Sequence, residues 1–197
     1  WFALTNARAD KGKGLGLGAW LYDEDRWPSG TAGGAVTRNP AYRMHFLRLS
    51  EERPGMESEP AARFAVRMDG ERWVSYRPLE ADEAVLPGET LLRFDVVEMP
   101  CSSFYNGTTY VDTMNREATE TFLQMTHQRY VEECGERIGD SILGIFTDEP
   151  HRGSLMTSFG QGADAGEYQI PWTAALPQRF REKYGYDLME NLPAPFL

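Results

Sequence analysis

Two stretches of the chain run into acids in the same way. Gly18 to Asp25, GAWLYDED, and Gly144 to Pro150, GIFTDEP, each pass from a glycine through apolar residues to carboxylates. An apolar run of this kind predicts a strand buried on both faces. Such a strand can end on acids for two reasons. The acids can form a turn or cap a following helix, or they can deliver carboxyl groups to a pocket. Paired carboxyl groups do general acid–base work. Glycoside hydrolysis uses one to protonate the leaving oxygen and a second as base or nucleophile.

The neighbouring residues point to a substrate rich in hydroxyls. Trp27 stands beside Asp23 and Glu24, and SFYNGTTYVD supplies Tyr105, Asn106 and Asp112. A tryptophan face stacks on the apolar face of a sugar ring, while carboxylates and amides hydrogen-bond its hydroxyls. A lipid or a phosphate ester would use these groups poorly. Each residue also has a structural reading: Trp27 and Tyr105 can cover the end of a core, and Asp112 can cap a helix.

Composition removes other classes. The 197 residues, 41% of them hydrophobic, suffice for one substantial core, and the formal net charge is −10. A nucleic-acid partner would need a basic face, and the sequence has no Lys/Arg cluster. No apolar run approaches the roughly 20 residues that span a bilayer as a helix. Cys101 and Cys134 are too few for a disulfide framework and lack metal-ligand spacing, so free thiols are expected. The three histidines form no H-x-H or H-E-x-x-H pattern. GKGLGLG is followed by a strand pattern, not a helix, which argues against a dinucleotide loop. Nothing in the sequence assigns a compartment.

These residues must be held by a framework that is legible in outline. Residues 1–13 read as helix, and Gly14 to Gly18 as its stop. YRMHFLRL, ARFAVRM, RWVSYRPL and TLLRFDVVEM alternate apolar and polar residues around Asp69-Gly70 and Pro87-Gly88, which predicts hairpins. NREATETFLQMTHQRYVEEC predicts an amphipathic helix with Asn115 as N-cap and Gly135 as stop. ALPQRFREKYGYDLMENLP predicts another, ending near Gly185. The expected fold is therefore α/β. Residues 1–41 and 99–197 would carry the βα units, and 42–98 a small antiparallel insertion.

GLGAWLYDEDRWPSGTAGG, YNGTTYVDTMNREATETFLQMTHQRY, GIFTDEP and LPQRFREKYGYDLMENLPAPF resemble the barrel region of the bacterial α-L-rhamnosidase-like glycoside hydrolases. The likeness runs from about residue 14 to the end. It implies a carbohydrate substrate and a (β/α)₈ barrel. Such a barrel typically needs about 250 residues, so the remaining strands and further β domains would belong to a longer chain. GIFTDEP is also similar to the strand-end Asn-Glu-Pro motif of barrel glycosidases. That similarity implies that Glu149 is the acid/base, with Asp148 in place of the usual asparagine. The family likeness further implies calcium as a cofactor, without assigning its ligands. The competing expectation is a non-catalytic carbohydrate-binding or scaffold module derived from such an enzyme.

Overall fold

A computed structural model describes residues 1–53, 56, 58–70, 72–80, 83–152 and 168–196. In chain order its main elements are α1 (Phe2–Gly14), β1 (Ala19–Tyr22), β2 (His45–Glu51), β3 (Ala62–Asp69), β4 (Arg72–Pro78) and β5 (Thr90–Glu98). They are followed by α2 (Arg116–Leu123), α3 (Arg129–Cys134), β6 (Ile142–Phe146), β7 (Tyr168–Trp172) and α4 (Leu176–Tyr184). The chain divides into two compact units, Trp1–Arg43 with Pro100–Arg152, and Met44–Met99 with Gly153–Leu197. Among the described residues no helix is long and apolar enough to cross a membrane.

The first unit holds the two acid-ended strands. β1 and β6 pair in parallel, with Trp20 opposite Gly144, Leu21 opposite Ile145 and Tyr22 opposite Phe146. Leu21 and Ile142 join Ala9 of α1 and Tyr130 and Cys134 of α3 in a buried core. A Cβ at Gly144 would lie 2.6 Å from the Trp20 ring, so a larger residue there would require that exposed ring to shift. Burial on both faces, expected from the apolar runs, is not observed: Trp20 is 67% exposed and Phe146 55%.

The helix between the strands forms as its pattern predicts. The Asn115 side chain accepts from the backbone N–H groups of Glu117 and Ala118, capping α2, and Gly135 ends α3 at φ +54°. Between the two helices, Gln124–Gln128 make a π turn that the periodicity does not betray.

The second unit is built on one curled antiparallel sheet of order β4-β3-β5-β2-β7. Leu47, Leu49, Phe64, Val66, Leu92 and Phe94 form its buried face, against which Leu188, Leu192 and Phe180 of the C-terminal segment pack. The β3–β4 hairpin turns at Asp69-Gly70, where Gly70 adopts φ +61°. β7 lies at the sheet edge beside β2, which is where a strand containing Pro171 is tolerated.

The expected partial (β/α)₈ barrel is therefore corrected. A barrel of that type needs successive parallel strands joined through helices. Among the described residues five strands form a single antiparallel sheet, and β1 and β6 are the only strands that pair in parallel. Among the described residues only β3 and β4 pair as strands consecutive in the chain, and the sheet extends beyond residues 42–98 to β7.

Candidate active site

The two acid-bearing strand ends lie side by side in the first unit. Beyond the paired strands, Ser29 N–H donates to the Asp148 carbonyl at 2.8 Å, and Asp148 N–H donates to Ser29 Oγ at 2.8 Å. This bridge brings Trp27 to Glu149, whose Oε2 accepts from the indole Nε1–H at 3.1 Å. Glu149 is exposed and Asp148 half-buried. The Tyr22 hydroxyl donates to Asp148 Oδ2 at 3.2 Å. Desolvation, then the Asp148 charge, pushes the Tyr22 pKa up to about 12, so its hydroxyl stays a proton donor at neutral pH.

Glu149 adopts φ +40°, in the left-handed region that a glutamate enters at a cost of about 1–3 kcal/mol. The residues on both sides hold it there. Asp148 is fixed by the Ser29 bridge, and the His151 carbonyl accepts from Thr113 Oγ1 at 2.8 Å. The His151 ring stacks on Tyr110, with centroids 4.6 Å apart and planes at 19°, and lies 6.0 Å from Trp27. Burial lowers the His151 pKa.

The remaining sequence candidates do other work. Asp23 is buried, and its Oδ1 accepts from Ser29 Oγ at 2.5 Å while Oδ2 accepts from Thr147 Oγ1 at 2.7 Å. Glu24 is saturated from within. Its two oxygens accept from the N–H groups of Asp25, Gly30, Thr31, Ala32 and Gly33 and from the Thr31 hydroxyl, at 2.6–3.2 Å. Ala32, Gly33 and Gly34 all have positive φ, which turns successive N–H groups into one concavity, an anion nest filled by the chain's own carboxylate.

Asn106, itself left-handed at φ +55°, ties Asp25 Oδ2 and the Gly33 carbonyl together through its amide, each at 3.0 Å. Tyr105 is buried with its ring 5.7 Å from Tyr110. Asp112 is buried and receives the Met114 N–H at 3.0 Å, a turn that leads into α2. The structure thus gathers Glu149, Asp148 and Trp27 at one surface and places Asp23 beneath them. It turns Glu24, Tyr105, Asn106 and Asp112 to shaping the loops.

Four contributors escaped the sequence reading: Tyr22, Ser29, Thr147 and His151. Tyr22 and Thr147 immediately precede the acids, and that adjacency was the available signal. Ser29 and His151 carried none, because their roles depend on contacts made in three dimensions. Among the described residues, no group of three or more His, Cys, Asp or Glu is placed to hold a metal ion. No family model matches this chain, and neither does any curated protein or solved structure.

Proposed function

We propose that the chain carries the catalytic acid of a glycoside hydrolase acting on O-glycosidic bonds, with α-L-rhamnosides the first substrates to test. The observation that carries this reading is the exposed Glu149 carboxyl set against the Trp27 indole at a strand end. The indole engages Oε2; Oε1 is the oxygen that would pass a proton to the leaving group. The Trp27 ring offers an apolar face to a sugar beside that proton, and Asp148, held by Tyr22, offers a hydroxyl acceptor. The resemblance of GIFTDEP to a glycosidase acid motif supports the same assignment.

A second reading has its own observation. Asp23 and Glu24 are engaged internally, which leaves fewer carboxylates for chemistry and favours a sugar-binding module. One experiment separates the two: hydrolysis and binding of alkyl and aryl α-L-rhamnosides by the wild-type protein and Glu149→Gln. The glycosidase reading expects a loss of roughly 10²–10⁴-fold in turnover with binding kept. The loss should be smaller for aryl leaving groups, which depart without needing a proton. Binding with no turnover in the wild type supports the second reading. Unchanged turnover of alkyl glycosides by Glu149→Gln removes the first.

A further inference from the structure

We propose that Asp23 is a positioning residue, which sets the Glu149 carboxyl against Trp27 by tying the ends of β1 and β6 together. An ionised carboxylate is costly to bury unless its oxygens are hydrogen-bonded. The polar side chains that meet the Asp23 carboxylate come from the loop after β1, the end of β6 and the π turn. Ser29 Oγ donates to Oδ1 at 2.5 Å, Thr147 Oγ1 donates to Oδ2 at 2.7 Å, and His127 Nε2 lies 3.5 Å from Oδ2. His127 is oriented in turn by Thr126, whose Oγ1 is 2.9 Å from Nδ1.

The consequence reaches Glu149 through Ser29. Because the Ser29 hydroxyl gives its proton to Asp23, its oxygen is turned to accept the Asp148 N–H at 2.8 Å. Ser29 N–H closes the same bridge by donating to the Asp148 carbonyl. Thr147, one residue earlier, is pinned to the other oxygen of the same carboxylate. Two successive residues before Glu149 are therefore fixed by one buried side chain. A glutamate at φ +40° needs such constraint, since the surroundings must offset its backbone strain. Without the tie, the segment is released to an ordinary backbone conformation, and the Trp27–Glu149 hydrogen bond is lost.

The positioning itself can be read without any activity, from the indole N–H cross-peaks of the five tryptophans in an ¹⁵N–¹H spectrum. Trp27→Phe identifies the Trp27 peak, and Glu149→Gln marks where that peak goes when the carboxylate partner is removed. Asp23→Asn and Thr147→Val should each move it toward the Glu149→Gln position and leave the other indoles in place. A purely structural Asp23 would lower stability but leave the Trp27 peak at its wild-type position in both folded variants, and that result overturns the proposal. If Asp23→Asn does not fold, Thr147→Val and Ser29→Ala decide by the same displacement. The activity arm alone rests on the glycosidase reading. There the variants should lose about 10²-fold in kcat, as expected for a misplaced catalytic group, with KM little changed. Turnover untouched by Glu149→Gln would sink the enzyme assignment and still leave the spectral result to judge Asp23.

Discussion

The indole Nε1 of Trp27 donates to Glu149 Oε2 at 3.1 Å, joining residues 122 positions apart. The pairing couples a surface that can stack on a sugar to a group that can carry a proton. Its two halves can be separated. Trp27→Phe keeps an aromatic face but removes the donor. Hydrogen bonds to charged groups contribute about 1.5–3 kcal/mol, and exposure to solvent reduces that. Turnover should therefore fall about tenfold or less, since tenfold corresponds to about 1.4 kcal/mol. Affinity for the sugar should be largely kept, as kcat and KM for the two proteins will report. Lost affinity with unchanged kcat would make Trp27 a platform only.

Glu24 makes the opposite kind of prediction. Its carboxylate satisfies five backbone N–H groups of the Asp25–Gly33 loop, and the sequence reading expected it to bind substrate. Glu24→Ala strands those donors, each costing about 1–3 kcal/mol where water cannot reach it. A net loss of about 3 kcal/mol in urea unfolding is expected, with faster amide exchange at residues 30–33. Weaker sugar binding at unchanged stability would return Glu24 to the ligand site.

The contrast between these two acids marks how far the sequence could be read. The helix from Arg116 to Cys134 was legible because its signals are local: an asparagine that caps it, an apolar stripe and a closing glycine. The β3–β4 hairpin was legible for the same reason, since Asp69-Gly70 favours a tight turn. The hairpin expected at Pro87-Gly88 does not form, because β5 pairs with β3 and β2 instead of β4. The parallel pairing of β1 with β6 was also within reach, because both strands carry the same pattern. Two such strands do not state how many neighbours they have, and the barrel was implied by the family resemblance. β7 went unseen because Pro171 argues against a strand unless its place at an edge is known. In the site, residue type located the acids but not their division of labour. Asp23 and Asp148 are both strand-end aspartates. Only the packing of Ser29, Thr147 and His127 around the first buries it.

His151 supplies a pH-dependent prediction. Burial against Tyr110 depresses its folded-state pKa below the ordinary histidine value of about 6.5, because the charged imidazolium is the form that burial disfavours. As pH falls below about 6.5 the unfolded chain takes up a proton that the folded chain resists. The unfolded state then binds more protons, and stability falls with pH. The contribution of the neutral ring is fully present above about 6.5 and is lost as pH drops through the folded-state value. His151→Phe keeps an aromatic ring on Tyr110 and removes the titration. The difference in urea midpoint between this variant and the wild type should therefore change from pH 7.5 to pH 5, moving in the variant's favour. Every other group is common to both proteins, so taking the difference isolates His151. A difference that stays constant across that range would show that the buried ring is not the source of acid sensitivity.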